Sequence, residues 1–401
     1  MGDYVDQNFE REVAFLKALV RVPSDNPPGD CVPHAERAEV LLTGLGFDVE
    51  RHPVPTRLVE ANGMRSVLNL VVRERFGRGG PVIALNAHGD VVPPGEGWKT
   101  DPYGAVEKAG AIYGRGAAVS KSDFATYAFA LLALKAAPES LNGVVELHLT
   151  YDEEAGGYVG PKWLLDQKIT KPDLAISAGF SYSIVTAHNG VLHLEVTVHG
   201  RQAHAAMPST GADALEAATA ILNALYSERK ALARRKSKIA GIGSPTLNVG
   251  MISGGINTNV VPDKIVMRID RRLIPEENGR AVERRLIALI RRSGKKKDIH
   301  VDCRTIMLAE PLKPRRGVDK LVAALTRNAV REFKTSIPVR GVPLYTDARH
   351  YSAAGIPTVL YGAGPRSIVE ANAHGANEHV KRSDLKAATK VVAATLRDLL
   401  S

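Results

Sequence analysis

Two apolar segments of this sequence each end in a cluster of residues that bind metals or transfer protons. The run at 82–88 ends within Asn-Ala-His-Gly-Asp (residues 86–90), and the run at 144–150 is followed by Asp-Glu-Glu-Ala-Gly-Gly (residues 152–157). Open α/β sheets place their active sites at the carboxyl ends of strands. Imidazole and carboxylate groups are common ligands of zinc. The pattern therefore predicts an α/β fold with a metallohydrolase type of site at one sheet edge.

Length and composition indicate a soluble globular protein with more than one domain. The chain has 401 residues, of which 44% are hydrophobic and 24% are charged, and one hydrophobic core seldom organises so many residues. Cys31 and Cys303 are its two cysteines, which favours a reducing compartment. The first residues are polar and acidic, and no apolar run is long enough to span a bilayer. We therefore expect a cytoplasmic protein without a membrane partner.

An excess of basic residues gives the chain a formal charge of +10, from 53 Lys and Arg against 43 Asp and Glu. Much of this excess lies at 229–238 and 284–297. Aromatic residues do not interleave the basic ones, and no nucleic-acid-binding motif accompanies them, so we interpret both segments as solvated helix faces. We predict no nucleic-acid partner and expect the positive charge to attract a small anionic substrate.

Hydrophobic periodicity predicts a sheet protein with an inserted domain. Up to residue 190, segments with helical spacing alternate with strand-like segments, which indicates a central sheet flanked by helices. Residues 191–305 follow the order strand, helix, strand, strand, helix, strand, which is typical of a smaller independent α+β domain. From residue 306 the helix and strand pattern returns. We therefore expect one domain built from 1–190 and 306–401, interrupted by a second at 191–305.

Several separate motifs carry a resemblance to one family of zinc hydrolases. In chain order they are Asn-Ala-His-Gly-Asp (86–90), Gly-Gly-Ile-Asn-Thr-Asn-Val-Val-Pro-Asp (254–263), Asp-Arg-Arg (270–272), Thr-Asp-Ala-Arg (346–349) and Ala-His-Gly-Ala-Asn-Glu (373–378). The sequence resembles the family of acetylornithine deacetylase, succinyl-diaminopimelate desuccinylase, aminoacylase and glutamate carboxypeptidase. This resemblance implies hydrolysis of amide or related C–N bonds. It also implies a zinc-peptidase-like catalytic domain interrupted by a lid and dimerisation domain.

The resemblance assigns roles to five residues of the catalytic domain. His88 matches a ligand of one zinc ion, and Glu154 and His374 match ligands of the other. Glu153 matches the general base, and Asp90 matches the carboxylate that fixes the tautomer of the zinc-binding histidine. The chemistry agrees, because zinc lowers the pKa of bound water to about 7, where a neighbouring carboxylate acts as base.

Three further residues are assigned by the resemblance in the lid domain. His204 matches a histidine that reaches into the site of the partner subunit and stabilises the tetrahedral oxyanion. Asn259 and Arg272 match residues that hold the substrate carboxylate, for which a guanidinium fork is well suited. The resemblance therefore implies a homodimer and a small carboxylate-bearing substrate.

The sequence departs from the family pattern at two metal-ligand positions. Val119 stands where the family has the aspartate that bridges both metals. Gly179, in an ungapped register, stands where the family has the carboxylate that completes the first zinc site. The site beside His88 thereby loses both carboxylates, so we expect at most one zinc or other divalent ion per chain, with no metal as the alternative. Asp123, about one helical turn beyond Val119, is a candidate replacement ligand.

Three functions are compatible with this incomplete site. The first is a C–N hydrolase that uses one metal ion, with Glu153 as base. The second is a metal-independent enzyme that uses Glu153, Asp90 and the histidines for acid–base chemistry on a similar substrate. The third is a non-catalytic protein that binds a small carboxylate through Arg272 and Asn259. Glu153 has no evident purpose in a binding protein, so the third ranks last, and we prefer the first.

Overall fold

The computed structural model of the chain describes residues 1–137 and 140–401. They form two compact units: unit 1 comprises Met1–Thr186, Pro314–Arg340 and Thr346–Ser401, and unit 2 comprises Ala187–Lys313 and Gly341–Tyr345. The sequence-based boundary after residue 305 falls inside a strand that continues to Ala309. The strand continues because its hydrogen-bonded partner strand runs alongside it as far as Ala309.

Helices and strands alternate along most of the described residues. The helices are α1 Gly2–Val20, α2 Val32–Gly44, α3 Thr56–Ala61, α4 Lys121–Lys135, α5 Pro161–Asp166, α6 Ala214–Leu232, α7 Gly279–Ser293, α8 Val318–Phe333, α9 Ala348–Ala353 and α10 Arg382–Leu400. The strands are β1 Val49–Pro53, β2 Leu68–Phe76, β3 Val82–His88, β4 Val106–Lys108, β5 Ala111–Tyr113, β6 Gly143–Thr150, β7 Leu174–Ser177, β8 Ile184–His188, β9 Gly190–His199, β10 Thr246–Gly254, β11 Lys264–Leu273, β12 His300–Ala309, β13 Val339–Val342, β14 Thr358–Leu360 and β15 His379–Lys381.

The larger sheet has the strand order β1-β2-β6-β3-β7-β14-β8-β13. Strand β3 lies between β6 and β7 and runs parallel to both. All of β6 is buried, as is β3 after its first residue. Strands covered on both faces are expected to be continuous apolar runs of this kind, which is why the sequence shows them so clearly.

Helices cover both faces of this sheet. Ile83 and Leu85 of β3 pack into a core that they share with residues of α1, α4, α8 and α10. Ala84, between them, packs into a smaller cluster with Tyr351 of α9. Because successive side chains of a strand point to opposite faces, the two cores lie on opposite sides of the sheet. The predicted α/β class, with a central sheet flanked by helices, is confirmed.

Unit 2 contains a four-stranded antiparallel sheet with the order β10-β11-β9-β12. Its chain order, β9-α6-β10-β11-α7-β12, is the predicted strand and helix order of a smaller α+β domain. Leu192, Leu194 and Val196 of β9 are buried in a core that includes α6 and α7. The residues that alternate with them, such as His193 and His199, are only partly buried. One face of this sheet therefore packs on helices and the other carries polar side chains.

The elements that sequence analysis missed are short. Strands β4, β5 and β15 have three residues each and form a third sheet with the order β15-β5-β4. Three residues are too few for a recognisable alternation of apolar and polar side chains. None of the helices in the described part of the chain combines the length and the apolar character needed to cross a membrane.

Candidate active site

The carboxyl ends of β3 and β6 meet at one edge of the larger sheet. The two strands are paired in parallel with His88 opposite Thr150, and the N–H of Gly89 donates to the carbonyl of Thr150 at 2.8 Å. The chain beyond β6 does not continue as a strand but forms a single 3₁₀ turn, Glu153–Ala155. Gly156 ends this turn with φ 108°, a left-handed conformation that favours glycine.

Asp90 connects the ends of the two strands. It is fully buried, and its carboxylate accepts the backbone N–H groups of Glu153 and Glu154 at 3.2 and 3.1 Å and the side-chain amide of Asn26 at 3.0 Å. His88 Nδ1 lies 3.0 Å from the carbonyl of Asp90 and 3.3 Å from its carboxylate. A proton on Nδ1 is held by these acceptors, so Nε2 is the nitrogen available to a metal or a substrate.

The structure brings together four of the predicted site residues. One ligand atom each from His88, Glu153 and Glu154 lies within 4.8 Å of the others, and His88 Nε2 is 3.9 Å from Glu153 Oε2. His374 Nε2 is 3.1 Å from Glu154 Oε1. The glutamate side chains are largely buried, with 13% and 10% exposed, whereas that of His374 is 49% exposed. The group is therefore open to solvent on the His374 side.

The environment of this group raises the pKa values of Glu153, His88 and His374. Burial is the largest cause of the raised pKa of Glu153, and the charge of Glu154 adds to it while that of His88 opposes it. Burial opposes the charged form of His88, but the hydrogen bond to Asp90 and the nearby carboxylates raise its pKa well above the usual value. The contact with Glu154 raises the pKa of His374. A carboxyl group with a raised pKa suits proton transfer near neutral pH.

The segment that carries Val119 is fixed beside the end of β3. Ser120 Oγ accepts the N–H of His88 at 3.1 Å and donates to the carbonyl of His88 at 3.0 Å. The carboxylate of Glu378 accepts the N–H groups of Ala118 and Val119 at 3.0 and 3.1 Å. The side chain of Val119 has only methyl groups, so this anchored segment offers no lone pair at the position of the family's bridging aspartate.

The backbone around Gly179 leaves no room for a side chain. A Cβ atom on Gly179 would lie 2.7 Å from the Cβ of Leu360 and 2.7 Å from the N atom of Tyr361, both in or next to β14. The carbonyl of Gly179 also accepts the N–H of Gly364 at 2.8 Å. Packed carbon atoms do not approach so closely, so this position is closed by packing.

Asp123, the candidate replacement ligand, is engaged elsewhere. Its Oδ1 accepts the N–H of Ala363 at 2.7 Å, and burial raises its pKa to about 7. In the described part of the chain, the three converging ligand atoms come from His88, Glu153 and Glu154, without Asp123. The Asp123 side chain therefore binds the backbone of the segment that follows β14.

Two residues without an assigned role hold the loop of His374. Arg115 and Glu378 form a buried ion pair at 2.5 Å, and Arg115 also donates to the carbonyl of His374 at 3.3 Å. His374 has φ 62°, which is uncommon outside glycine and is maintained here by the surrounding contacts. Glu378 ends one of the motifs quoted above, and Arg115 follows Gly114 in the turn before Val119, but a sequence motif does not reveal which charges pair.

Unit 2 carries the other three predicted residues. The N–H of Ala205 donates to the carbonyl of Asn259 at 3.0 Å, which pairs the loops of His204 and Asn259. Both residues are exposed. Arg272 is partly buried and its Nε donates to Asp270 at 3.1 Å. The guanidinium is therefore already paired with one carboxylate of its own sheet.

Comparison with known proteins identifies the family. The family model described as "Peptidase family M20/M25/M40" matches residues 84–398. The chain is 30% identical to an acetylornithine deacetylase of Myxococcus xanthus over 368 residues, which cover 90% of both chains. The chain belongs to peptidase family M20/M25/M40. It is also 28% identical to a succinyl-diaminopimelate desuccinylase of Gluconacetobacter diazotrophicus over 401 residues, covering 97% of each chain.

Solved structures agree with this fold. A Bacillus subtilis protein described as a dinuclear metal-binding peptidase of the M20 family superposes with a TM-score of 0.72 and 15% identity. The match covers 98% of this chain and 99% of that one. The predicted family is thus confirmed, and so is the predicted class of activity, since this M20 member is a hydrolase that acts on C–N bonds.

The residues around Glu154 fit a divalent metal ion. Enzymes of the M20 family bind such ions, typically zinc. Glu154 Oε1 is buried and receives no well-directed hydrogen bond from the described residues, although His374 Nε2 is 3.1 Å away. A buried carboxylate oxygen without a partner is unfavourable unless a cation or donor satisfies it. Together with the imidazole of His88, these donors are ones that zinc prefers.

Proposed function

We propose that this M20 member hydrolyses an amide bond in a small substrate with a free carboxylate, and that Glu153 is its general base. The observation that carries the proposal is the convergence of Glu153 with His88 and Glu154 within 4.8 Å, on backbone that Asp90 holds in place. Two well-matched relatives are named a deacetylase and a desuccinylase, and both names denote removal of an acyl group. An N-acyl amino acid is the corresponding substrate class for this chain.

The proposed reaction begins with proton transfer to Glu153. The Glu153 carboxylate takes a proton from water as the water oxygen adds to the amide carbon. The same group then returns the proton to the leaving nitrogen as the C–N bond breaks. Asp90 is a positioning residue, because it holds His88 and the backbone of Glu153. A divalent ion held by Glu154, His374 and His88 supplies Lewis-acid polarisation of the carbonyl and a lowered water pKa when bound.

We further propose that the chain binds at most one metal ion. Val119 has no lone pair, and the packing of Gly179 against Leu360 excludes a carboxylate side chain there. Asp123 does not replace the missing ligands in its present position, since its Oδ1 accepts the backbone N–H of Ala363. His88 already serves the proposed ion, so a second cation at the positions of Val119 and Gly179 would have no ligand side chain of its own there. A partly desolvated cation without counter-charge is unfavourable by several kcal/mol, as an order of magnitude.

The remaining proposals concern unit 2 and the assembly. Unit 1 is the catalytic domain and unit 2 the lid and dimerisation domain of a cytoplasmic homodimer. His204, exposed on a loop paired with that of Asn259, stabilises the oxyanion in the partner subunit. Arg272 and Asn259 hold the substrate carboxylate. Sedimentation velocity tests the assembly, because a monomer with full activity at micromolar concentration contradicts it.

Metal analysis combined with activity on a small panel tests the proposed function. Protein purified without an affinity tag is analysed for bound metals and assayed with N-acetyl and N-succinyl amino acids and with their α-carboxamides. We expect hydrolysis of the acids, much weaker hydrolysis of the carboxamides and loss of activity in Glu153→Gln. Turnover that persists in Glu153→Gln contradicts the assignment of the base.

The same experiment decides between the proposal and its alternatives. Hydrolysis with no bound metal and no effect of chelators supports the metal-independent enzyme, for which the contact of His88 with Asp90 supplies an acid–base pair. Binding of the acids without hydrolysis by any metal-loaded form supports the non-catalytic protein. Two ions at the Glu153 group overturn the proposal of a single ion.

A further inference from the structure

The Thr-Asp-Ala-Arg motif (346–349) and the first residues of helix α9 pack against the end of the turn Glu153–Ala155. A Cβ atom on Gly157, just beyond the turn, would lie 2.2 Å from Asp347 Oδ1 and 2.7 Å from His350 Nε2. Gly157 also has φ 70°. Glycine is therefore required here for two reasons, the left-handed backbone and the close approach of the α9 segment.

Two side chains of α9 bind one backbone carbonyl at the end of this turn. Arg349 and Nε2 of His350 both donate to the carbonyl of Gly156, the histidine at 2.9 Å. A carbonyl oxygen only accepts hydrogen bonds, so Nε2 of His350 carries a hydrogen. Gly156 is buried, and Arg349 and His350 are 5% and 7% exposed. Water therefore competes little for these hydrogen bonds, which strengthens them.

Helix α9 is itself fixed against strand β6. The hydroxyl of Tyr351 is 2.7 Å from Nδ1 of His148, and Nε2 of His148 is 2.9 Å from Oε2 of Glu146. Tyr351 and His148 are fully buried. Arg315 Nε donates to the carbonyl of Ser352 at 2.8 Å, which holds the other end of the helix. Since β6 leads directly into the turn, the donors of α9 and the turn are held by the same strand.

The turn depends on contacts from outside because a single 3₁₀ turn has few hydrogen bonds of its own. The N–H groups of Ala155 and Gly156 donate to the carbonyls of Asp152 and Glu153 at 3.1 and 3.0 Å. Asp90 accepts the N–H groups of the first two residues of the turn. The carboxylate of Asp90 thus holds the amino end of the turn, and the two side chains of α9 hold its carboxyl end.

We propose that Arg349 and His350 are positioning residues for the reaction. By binding the carbonyl of Gly156 they fix the directions in which Glu153 and Glu154 point. Their role rests on the proposed function, in which Glu153 is the base and Glu154 a metal ligand. A displacement of about 1 Å in a catalytic group can slow a reaction about 100-fold. Loss of a residue that orients a metal ligand typically costs about 10- to 100-fold in metal affinity or activity.

Replacement of His350 tests this role, because Arg349 still binds the carbonyl and supports the fold. His350→Leu removes the donor, whereas the side-chain amide in His350→Gln can still donate to Gly156. Asn69→Leu is the matched control, since the fully buried Asn69 also donates to one carbonyl of the following loop, that of Val159, at 2.8 Å.

Kinetics with an N-acyl amino acid and calorimetry with Zn²⁺ alone give the first two measurements. We expect His350→Leu to lower kcat at saturating Zn²⁺ by about 10- to 100-fold and to weaken Zn²⁺ binding. KM should change little, because neither α9 side chain is assigned a contact with the substrate. His350→Gln should recover most of the loss, and Asn69→Leu should keep the wild-type kcat and Zn²⁺ affinity.

Hydrogen exchange of the backbone measures the turn without an activity assay. Mass spectrometry of peptides that cover residues 152–157 should show faster exchange in His350→Leu than in the wild type, His350→Gln and Asn69→Leu. If the wild type hydrolyses no N-acyl amino acid, the proposed function fails, and faster exchange in His350→Leu still supports the fixing of the turn by α9.

Three results would overturn the proposal. The first is equal kcat, Zn²⁺ affinity and exchange in the wild type and His350→Leu. The second is an equal loss in His350→Gln, which would make the shape of the ring, rather than its hydrogen bond, the cause. The third is an equal loss in Asn69→Leu, which would attribute the effect to a general loss of stability.

Discussion

The group around Glu153 and the positions of Val119 and Gly179 belong to the same unit, but they differ in what their side chains offer. Glu153 and Glu154 direct carboxylates toward His88, and their backbone N–H groups are bound by Asp90. The backbone at Val119 is held equally well by Glu378, yet it presents no donor. At Val119 the backbone is anchored and only the donor is missing, whereas at Gly179 the packing of Leu360 and Tyr361 also closes the position. The predictions below test whether that contrast governs metal binding.

Loss of the ligands that remain is expected to have the largest effect. Glu154→Ala and His374→Ala each remove one donor from a set with no replacement, so both should purify without metal at this group and without detectable turnover. Inductively coupled plasma mass spectrometry and the N-acyl amino acid assay measure the two properties. A matched change at Glu370, an exposed carboxylate paired with Lys381, should alter neither. Full metal content in both variants contradicts the assignment of Glu154 and His374 as metal ligands.

Loss of the base should separate turnover from metal binding. Glu153→Gln preserves the shape of the side chain but removes the proton acceptor, so kcat should fall by about 10² to 10⁴. Metal content should stay at the wild-type level, because Glu154 and His374 are unchanged. Steady-state kinetics and metal analysis on the same sample provide the check. Loss of metal together with activity would instead make Glu153 a ligand.

Titration of Asp123 should make the free energy of unfolding depend on pH. Its pKa is raised to about 7 in the folded chain from an ordinary value near 4, so the native state binds this proton more tightly than the unfolded state. The free energy of unfolding therefore falls as the pH rises from about 4 to 7 and is level above that. Asp123→Asn removes this slope. Between about pH 4 and pH 8, the free energy of unfolding of the variant should rise relative to that of the wild type by on the order of 4 kcal/mol.

Urea titrations of both proteins across that range measure the difference. The Oδ1 atom of an asparagine still accepts the N–H of Ala363, so the variant keeps the contact that supports the fold. Parallel pH curves for the two proteins contradict a titration of Asp123 in this range.

A methyl group at Gly179 should be costly even though it adds no charge. Gly179→Ala places a Cβ atom 2.7 Å from the Cβ of Leu360 and from the backbone of Tyr361, which should lower the free energy of unfolding by about 1 to 3 kcal/mol. Gly243→Ala is the control, since no atom of the described residues other than its chain neighbours lies within 4 Å of a Cβ atom there. Chemical denaturation compares the two. Equal stability of both variants means that the segment has room for a ligand after all.

Restoring one lost carboxylate should have the smallest effect. Val119→Asp places a carboxylate on an anchored backbone beside His88, but the position of Gly179 remains closed. We expect the metal content at this group to stay at one ion or fewer. Anomalous scattering from crystals of the variant gives the count and the location. Two ions next to His88 would show that the bridging position alone decides the metal number.

The parts of the site that lie within one sequence motif were predictable. His88 and Asp90 follow an apolar strand, and Glu153 and Glu154 follow another, and parallel neighbours bring such strand ends together. Their mutual geometry could not be predicted, because the 3₁₀ turn at Glu153 shows no periodicity that distinguishes it from a strand end. The same applies to the three-residue strands β4, β5 and β15, whose pairing depends on distant segments.

The contacts that link distant segments were not predictable from one sequence. Asn26 donates to Asp90 and Glu378 binds the N–H of Val119, but nothing in the local pattern pairs these residues. The exclusion of a side chain at Gly179 likewise depends on tertiary packing against β14, which is distant in sequence.

The pairing of Arg115 with Glu378 also determines when the site can form during protein synthesis. The two residues are 263 positions apart, and the whole of unit 2 is translated between them. At elongation rates of about 5 to 20 residues per second, the ribosome needs roughly 13 to 53 seconds to pass from one to the other. Throughout that interval the segment of Val119 has emerged without the carboxylate that fixes it, and His374 does not yet exist. The group around Glu153 can thus be completed only after the whole of unit 2 has been translated.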